Sequence, residues 1–314
     1  MCLLYHLGMD AGFEDNLKKI LVSSTPFTSE IGHYILDSGG KRLRPRLVML
    51  IGNSIGLEDE NILPLAYTVE LMHTASLLHD DVVDGTERRR SIPTANQVYG
   101  DKPALLAGDF ISASALDIIL RLGNLQIAID MAQTIKKMAE GELKELEHAM
   151  HFHDNLDIYL DIIYLKTASL FEFCTRAPGF LAGLDEDEID ILGSYGRAIG
   201  MGFQIVDDII NLTPNRGDTK DAYNDIVEGK STLPLVIMFR DNPGVLAHLD
   251  GMSDPSQRQQ FILSHISPEI LASSREVAKE YLDSAVHVMK NTRFLTEELV
   301  QIPSAIIGQL EERF

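Results

Sequence analysis

Apolar residues recur at the spacing of an α-helix along nearly the whole chain. In segments 65–77 and 127–138, for example, apolar side chains return every three or four residues, whereas the alternation typical of strands is scarce. Glycine and proline interrupt this pattern at intervals. The breaks fall at residues 39–40, 52–56, 85–93, 100–103, 123, 183, 214–217 and 241–244. The sequence therefore predicts an all-α protein, a bundle of helices of ordinary or greater length.

The chain is long enough to bury a sizeable core. Its 314 residues are 45% hydrophobic and 24% charged, values that suit one large domain or two ordinary ones. The longest polar connection, Thr213 to Gly229, carries too many charges for a passive tether. A single domain covering residues 1–314 is the simpler interpretation.

The composition is strongly acidic. With 47 Asp and Glu against 27 Lys and Arg, the formal net charge is −20, which excludes a general affinity for nucleic acid or an anionic membrane surface. Cys2 and Cys174 support neither a disulfide framework nor a zinc site, and they fit a reducing cytoplasm. Residues 1–12 lack the basic region of a signal peptide. Because Asp, Lys, Arg or Gly interrupts every apolar run before about 18 residues, we expect no transmembrane segment.

Two pairs of adjacent aspartates lie near the C-terminal ends of strongly apolar predicted helices, Met72 to Asp84 and Gly200 to Asn211. In the first helix, Asp80 and Asp84 are one turn apart on the same face, and Asp81 lies about 100° round from Asp80. Like charges at this spacing oppose helix formation unless something offsets them. A hard divalent cation with oxygen ligands, such as Mg²⁺, offsets this repulsion.

The second pair, Asp207 and Asp208, repeats this arrangement with the amide of Asn211 in place of the last acid. In a chain this acidic, either pair alone could belong to a solvated helix surface. The flanking residues are apolar, however, as in a buried wall. Two such helix ends facing each other would form a metal-lined mouth, so we interpret both pairs as magnesium ligands.

Two basic clusters stand out against this acidic background. One, residues 41–46, follows Gly39-Gly40, and the other is Arg88 to Arg90, just beyond Asp84. Glycines let the backbone approach a ligand closely, and Lys and Arg donate hydrogen bonds to phosphate oxygens. A cation-rich loop beside a metal-binding helix suits a magnesium–diphosphate complex, in which metal and guanidinium groups share the phosphate oxygens.

Three isolated basic residues have two interpretations each. Lys166 and Lys230 could complete a diphosphate site, but a lone lysine such as Lys166 more often covers apolar surface with its stem. His73, on an apolar helix face, could be a hydrogen-bonded core residue. It also lies two turns before the first aspartate pair, within reach of a second diphosphate.

In combination, these residues resemble the trans-isoprenyl (polyprenyl) diphosphate synthases. The resemblance runs from Gly39 to Phe314 and depends on seven motifs in order. They are G-G-K-R-L-R-P, H-T-A-S-L-L-H-D-D-V-V-D, R-R-S-I-P-T, L-A-G-D-F, K-T-A-S-L-F, F-Q-I-V-D-D and E-G-K-S-T-L-P. It implies the isoprenoid synthase fold, a mostly antiparallel helical bundle around a deep central cavity, assembled as a homodimer. Isopentenyl diphosphate and an allylic diphosphate are the implied substrates.

The resemblance assigns site residues position by position. The residues expected to hold isopentenyl diphosphate are Lys41, Arg44, His73 and Arg90. Those expected around the allylic diphosphate are Arg89, Lys166, Thr167, Gln204, Lys220 and Lys230, of which Lys166, Thr167, Gln204 and Lys230 are the expected catalytic residues. The expected ligands of a trinuclear Mg²⁺ cluster are Asp80, Asp84 and Asp207, with Asp81 and Asp208 in support. The implied reaction is ionisation of the allylic diphosphate, condensation, and loss of a proton to the released diphosphate.

Four positions depart from the family pattern. Asn211 replaces an aspartate, from which we expect weaker metal binding rather than lost activity. Ser91 replaces a glycine after the double arginine, and Thr219 and Tyr223 replace glycines in the loop before Lys230. These three changes are expected to stiffen the lid over the site.

Product length is expected to depend on the residues below Asp80 on the same helix. Ala75 and Ser76 lie one turn down and Met72 two turns down, at a rise of about 5.4 Å per turn. The first-turn residues are small where short-chain members of the family carry an aromatic residue. We therefore expect a medium- or long-chain all-trans polyprenyl diphosphate, with a farnesyl or geranylgeranyl product as the alternative.

Two other functions would use the same features. A class I terpene cyclase or a head-to-head synthase has similar aspartates, but a cyclase holds one diphosphate, whereas Lys41, Arg44 and Arg90 indicate a second diphosphate site. A non-catalytic subunit of a heteromeric synthase would be expected to lose the aspartates that this chain keeps. The sequence therefore predicts a Mg²⁺-dependent polyprenyl diphosphate synthase.

Overall fold

The computed structural model describes residues 11–89, 92–149, 151–214, 223–249, 251–252 and 254–311, and these residues are almost entirely helical. The α-helices are α1 (Ala11–Ile20), α2 (Pro26–Asp37), α3 (Leu43–Ser54), α4 (Asp59–Val83), α5 (Ala95–Tyr99), α6 (Asp101–Arg121), α7 (Leu125–His148), α8 (Leu156–Ile163), α9 (Ser169–Ala182), α10 (Glu186–Leu212), α11 (Asn224–Val227), α12 (Leu233–Asp241), α13 (Pro243–Leu249), α14 (Pro255–His265), α15 (Pro268–Met289) and α16 (Glu297–Ile307). A π-helical segment, Tyr164–Ala168, joins α8 to α9, and a 3₁₀ turn, Gly308–Leu310, follows α16. The all-α prediction is confirmed.

Strand structure in the described residues is limited to one short ribbon. The strands β1 (Arg88–Arg89) and β2 (Ile92–Pro93) pair in antiparallel register. The ribbon occupies the predicted break at 85–93, immediately after α4. It therefore fixes the backbone that follows the first aspartate pair.

The chain divides into two compact units, which are described separately. Unit 1 comprises Met1–Ala132 and Cys174–Asp190, and unit 2 comprises Gln133–Phe173 and Ile191–Phe314. The first aspartate pair and the first basic cluster belong to unit 1, whereas the second aspartate pair belongs to unit 2.

Helix α4 is the central element of unit 1 and packs against α3 and α6. Leu65, Ala66 and Leu71 of α4 are fully buried and point in different directions around the helix, as in a core helix that is covered on several faces. The helices come close because glycines face them. A Cβ at Gly52 would lie 2.5 Å from the Ile62 side chain, so the glycine allows α3 and α4 to pack closely. Helix α3 runs through Gly52 and ends at Ser54, inside the break predicted at residues 52–56.

Unit 2 has its own apolar core, in which α12 packs on α15 and α15 on α16. The buried cluster comprises Leu212, Ile226, Leu235, Met238, Phe239, Val245, Leu249, Ile262 and Ile270. Polar side chains define where its helices begin. Asn155 accepts backbone hydrogen bonds at the start of α8, and Ser267 and Thr296 do the same for α15 and α16.

Helix α6 is the one helix in the described residues that is long and apolar enough to cross a membrane, with a mean hydropathy of 1.6 over its most apolar window. A third of that window, 33%, is buried. The sequence pattern alone did not indicate this stretch. Core helices of water-soluble proteins share this length and composition, so the finding carries little weight by itself.

Candidate active site

The first aspartate pair lies where the sequence placed it, at the C-terminal end of α4. The helix ends at Val83, and the backbone N–H of Asp84 donates to the carbonyl oxygen of Asp80 at 2.8 Å. Asp81 is buried, whereas Asp80 and Asp84 are half-buried. The last turn of α4 therefore presents two partly accessible carboxylates on one face.

Asp81 is bound by Arg89 of β1. The Nε and Nη2 atoms of Arg89 donate to the same carboxylate oxygen, Oδ1, at 3.0 and 2.7 Å. Burial lowers the pKa of Arg89, but the hydrogen bond and charge of Asp81 outweigh this and raise it, so the guanidinium is cationic. Within the described part of the chain, Oδ2 of Asp81 is buried without a hydrogen-bond donor. One oxygen of this carboxylate is thus engaged and the other is left for a ligand.

The loop after α4 is held by hydrogen bonds from α5 and the residue before it. The Nδ2 atom of Asn96 donates to the carbonyl oxygen of Asp81 at 3.2 Å, and the hydroxyl of Thr94 donates to that of Thr86 at 2.6 Å. These bonds fix the start of the ribbon and with it Arg89. Arg90 and Ser91, named in the sequence analysis, lie outside the described residues.

The first basic cluster lies at the N-terminus of α3. Lys41 is exposed before the helix, and Arg44 is half-buried in its first turn. A helix N-terminus attracts anions through its free N–H groups and dipole, so this location suits a diphosphate.

Arg42, between these two residues, has a different role that the sequence did not indicate. It adopts a left-handed backbone (φ 50°), bonds Glu14 at 2.7 and 3.0 Å, and forms a buried pair with Glu70. Arg42 therefore anchors the cluster to α1 and α4. The feature that marks this role is the left-handed backbone of Arg42. A left-handed conformation cannot be inferred from the sequence when the residue is an arginine.

The residues expected to limit product length, which would form the floor of the product cavity, precede the aspartates on α4. Met72 and Ala75 are 4% and 1% exposed, and Ser76 is half-buried, with its hydroxyl donating to the carbonyl oxygen of His73 at 2.9 Å. His73 itself is half-buried. These four side chains belong to unit 1 and lie one to two turns before the acidic turn of α4.

The second aspartate pair is the end of a hydrogen-bonded chain in unit 2. The hydroxyl of Thr167 donates to Oε1 of Gln204 at 2.8 Å, and the amide of Gln204 donates to Oδ1 of Asp208 at 2.8 Å. The hydroxyl of Tyr159 donates to Oδ2 of Asp208 at 2.6 Å. Three residues named from the sequence are thus brought together, and Tyr159 is a partner that the sequence did not indicate.

Asp208 is the more buried member of its pair. Burial is the largest effect and raises the pKa of Asp208, the hydrogen bonds from Tyr159 and Gln204 lower it, and the charge of Asp207 raises it. The net result is a pKa of about 7. A carboxylate in this environment gains stability from a nearby cation. Asp207 is therefore the accessible carboxylate of the pair, and Asp208 is the buried one.

Two lysines of unit 2 converge on the acidic side chains of α7. The Nζ atom of Lys166 lies 2.6 Å from Glu142 and 2.5 Å from Glu145. The Nζ atom of Lys230 lies 3.4 Å from the same oxygen of Glu145 and 2.7 Å from Glu228. Lys166 is therefore part of a charged cluster and is not an isolated surface lysine. Lys220 lies outside the described residues.

The π-helical segment that carries Lys166 and Thr167 is held between two glycines. A Cβ at Gly141 of α7 would lie 2.6 Å from the backbone nitrogen of Lys166, and one at Gly200 of α10 would lie 2.5 Å from the Cα of Ala168. π-helical turns inside α-helices are frequent at functional sites. The glycines allow both helices to reach the segment at backbone distance.

Tyr223 explains one departure from the family pattern. Its backbone has φ 66°, in the region that favours glycine, and its N–H donates to the carbonyl oxygen of Asn211 at 3.2 Å. The tyrosine therefore adopts a left-handed conformation that glycine would reach without strain. Thr219 lies outside the described residues.

The donor set suits magnesium better than a softer metal. The aspartates supply carboxylate oxygens, which Mg²⁺ prefers, and the buried Oδ2 of Asp81 is available to receive a hydrogen bond from a metal-bound water. Among the described residues, no group of three His, Cys, Asp or Glu side chains could hold a metal by itself. Mg²⁺ commonly keeps waters and substrate phosphates as ligands, so paired carboxylates without a closed cage fit it.

Comparison with known proteins decides the family. The family model described as polyprenyl synthetase matches residues 25–262. An octaprenyl diphosphate synthase of Haemophilus influenzae is 39% identical over 226 residues, which cover 72% of this chain and 69% of that protein. The chain belongs to the polyprenyl synthetase family. It is therefore a prenyltransferase of the polyprenyl synthase type, in a family that generally depends on Mg²⁺.

Solved structures of this polyprenyl synthetase family have the same fold. A decaprenyl diphosphate synthase from Rhodobacter capsulatus matches with a TM-score of 0.83 and 28% identity, over 95% of both chains. A heptaprenyl diphosphate synthase from Staphylococcus aureus matches with a TM-score of 0.88 over 95% of this chain and 96% of its own. Because its sequence identity is 24%, this match supports the fold alone. The predicted isoprenoid synthase fold is thus confirmed.

Proposed function

We propose that this polyprenyl synthetase condenses isopentenyl diphosphate with an allylic diphosphate and makes a medium- or long-chain all-trans polyprenyl diphosphate. The 39% identity to an octaprenyl diphosphate synthase is the observation that carries the proposal. The small side chain of Ala75, below the first aspartate pair, supports a long product, because short-chain members of the family carry an aromatic residue there. Relatives named solanesyl and decaprenyl diphosphate synthase point the same way.

The proposed ligands of the two substrates come from different segments of the chain. Those for isopentenyl diphosphate include residues at the α3 N-terminus and on α4, and those for the allylic diphosphate include residues of the π-helical segment and of α10. The residues proposed for isopentenyl diphosphate are Lys41, Arg44, His73 and Arg90. Those proposed for the allylic diphosphate are Arg89, Lys166, Thr167, Gln204, Lys220 and Lys230. The proposed magnesium ligands, for three ions, are Asp80, Asp84 and Asp207, with Asp81 and Asp208 in support.

The chain's own residues stabilise charge as the allylic C–O bond breaks. Bound Mg²⁺ supplies neutralisation of the leaving diphosphate. Lys166, Lys230 and Arg89 donate hydrogen bonds to the same phosphate oxygens, so negative charge accumulates against fixed cations. The hydroxyl of Thr167 and the amide of Gln204, fixed in one chain of hydrogen bonds, direct oxygen dipoles toward the allylic carbon and stabilise its positive charge.

Condensation then requires orientation and the exclusion of water. Lys41, Arg44 and His73 hold isopentenyl diphosphate so that its double bond attacks the allylic carbon. A new C–C bond forms, and a proton passes to the released diphosphate. The apolar wall of α4, including the buried Met72 and Ala75, excludes water that would otherwise react with the cation.

We propose that residues 1–314 act as a single domain in a cytoplasmic homodimer. Exposed leucines on α6 and at the start of α7 support the dimer, since Leu106, Leu120 and Leu125 are 67%, 67% and 73% exposed. Two cysteines, of which Cys174 is buried and free, fit a reducing compartment. Sedimentation at several protein concentrations tests the oligomeric state.

The function is tested by incubating the purified protein with labelled isopentenyl diphosphate, Mg²⁺ and allylic primers of increasing length, and sizing the products. We expect a product of medium or long chain length. Asp80→Asn and Asp207→Asn should each reduce turnover by at least about 100-fold, whereas Asp117→Asn, which removes the same charge from an exposed pair with Arg121, should not. Cyclic products, or no incorporation by the folded protein, would refute the proposal.

A further inference from the structure

One oxygen of Glu145 contacts both lysines that we propose for the allylic diphosphate. Its Oε2 atom lies 2.5 Å from Nζ of Lys166 and 3.4 Å from Nζ of Lys230. The carboxylate is 18% exposed and the lysines are 22% and 17% exposed, so the contact is shielded from bulk water. An anionic oxygen that bridges two ammonium groups has the geometry that a phosphate oxygen would adopt there.

The backbone fixes this contact from both sides. Gly141 precedes the acidic pair on α7 and brings the helix to backbone contact with Lys166, and the π-helical segment turns the lysine toward Glu142 and Glu145. Lys230 is placed by its backbone N–H, which donates to the carbonyl oxygen of Asp225 at 2.8 Å. The backbone thus places both ammonium groups close to Glu145.

The charges favour exchange of one anion for another. The two cations face three carboxylates, those of Glu142, Glu145 and Glu228. Burial raises the pKa of Glu145, but Lys166 and Lys230 lower it overall, so the carboxylate that contacts both lysines is ionised. A diphosphate carries more charge and more acceptor oxygens than a carboxylate. It would therefore displace Glu145 from the lysines, and the carboxylate would compete for them again when diphosphate leaves.

We propose that Glu145 is a positioning residue that occupies the diphosphate subsite of Lys166 and Lys230 between turnovers and promotes release of the diphosphate product. This inference rests on the proposed function, because it takes these lysines as ligands of the allylic diphosphate. Glu142, which contacts Lys166 at 2.6 Å but is not paired with Lys230 in the described residues, holds one lysine only. Glu228, at 2.7 Å, likewise contacts Lys230. Because Glu145 contacts both lysines, we expect its loss to change diphosphate affinity most.

The test measures binding of inorganic pyrophosphate with Mg²⁺ by calorimetry, together with steady-state kinetics, for the full-length protein. Glu145→Gln keeps the size of the side chain and removes the competing charge. We expect it to bind pyrophosphate about ten-fold more tightly, to be more strongly inhibited by added pyrophosphate, and to lower kcat more than KM because product release slows. Glu142→Gln should have a smaller effect, and Asp161→Asn, at the partly exposed pair with Lys144, should have none.

Each result decides between two roles. If Glu145→Gln binds pyrophosphate more weakly than the wild type while retaining its circular dichroism and melting temperature, Glu145 only orders the lysines and the inference is wrong. If the wild type synthesises polyprenyl diphosphate but Glu145→Gln has unchanged affinity, the inference is wrong and the proposed function stands. If the wild type binds no pyrophosphate with Mg²⁺, both are wrong. Glu145→Asp, which restores the charge on a shorter stem, should return affinity toward the wild-type value.

Discussion

Gly200→Ala tests whether the close contact between α10 and the π-helical segment sets the position of the catalytic residues. A Cβ at Gly200 would lie 2.5 Å from the Cα of Ala168, 2.8 Å from its Cβ and 3.0 Å from the Cβ of Phe171. Two of these atoms belong to one residue of the segment, and its Cα is backbone. The clash therefore cannot be relieved by rotating a side chain, and the segment must move by about 1 Å, since contacts of this kind need roughly 3.5 Å.

The expected magnitude combines two opposing effects. Alanine stabilises a helix interior over glycine by about 1 kcal/mol, whereas overpacking a core costs about 1–3 kcal/mol. We expect a net loss of about 1 kcal/mol in the free energy of unfolding, or a decrease of about 2–4 °C in Tm. Activity should fall far more, by about 100-fold, because Thr167 precedes the displaced residue and misplacement by about 1 Å has that effect.

The assay compares thermal melts and single-turnover rates of Gly200→Ala with two matched alanine variants. Gly308→Ala adds a Cβ that meets nothing within 4 Å among the described residues, so it should match the wild type. Gly202→Ala, on the same helix, would press on the Leu282 side chain and should lower Tm with less effect on the rate. Wild-type activity and stability in Gly200→Ala would show that the segment is not fixed by this contact.

Three further perturbations follow from the structure. Ala75→Phe should shorten the product by one or more isoprene units, as measured by chromatography of labelled products, and an unchanged product would place the floor elsewhere. Arg42→Ala should lower the free energy of unfolding by about 3 kcal/mol in urea titrations, because it leaves the buried Glu70 without its partner, and a loss below about 1 kcal/mol would contradict this. Burial raises the pKa of Cys174 from 9.0 to about 12, so in a Cys2→Ser background its thiol should resist alkylation at about pH 8.5 until the protein unfolds. Because the pKa of Cys174 is higher in the folded than in the unfolded protein, the free energy of unfolding should fall as pH rises from 9 toward 12. This fall should be smaller in Cys174→Ala, and identical pH dependences of the two proteins would contradict the burial of the thiol.

The fold and the aspartate helices could be predicted from the sequence because both depend on short-range patterns. Helical periodicity gave the all-α class, and the spacing of Asp80 and Asp84 placed them on one face of α4. The glycine at 123 and the glycine at 183 mark helix ends with positive φ, as expected. These features depend on local chemistry that residue type reveals.

The partners of the site residues could not be predicted, because they come from distant parts of the chain. Tyr159 and Asp208 are 49 residues apart, and nothing in either segment indicates the other. Glu142 and Glu145 lie in an acidic and basic stretch of α7 that is typical of a solvated helix surface. Their burial against Lys166 depends on Gly141, whose role is visible only once the opposing backbone is placed.

If side chains of α4 set the product length, as proposed, the unbroken length of this helix restricts how that length can change. Met72 and Asp80 share one rigid helix from Asp59 to Val83, so the depth between them is a fixed multiple of the helical rise. Inserting a residue between them would turn one about 100° away from the other while adding only about 1.5 Å of depth. On the proposal that α4 limits product length, variation in this enzyme would act through side-chain bulk at successive turns of the helix, and products should change in discrete isoprene steps.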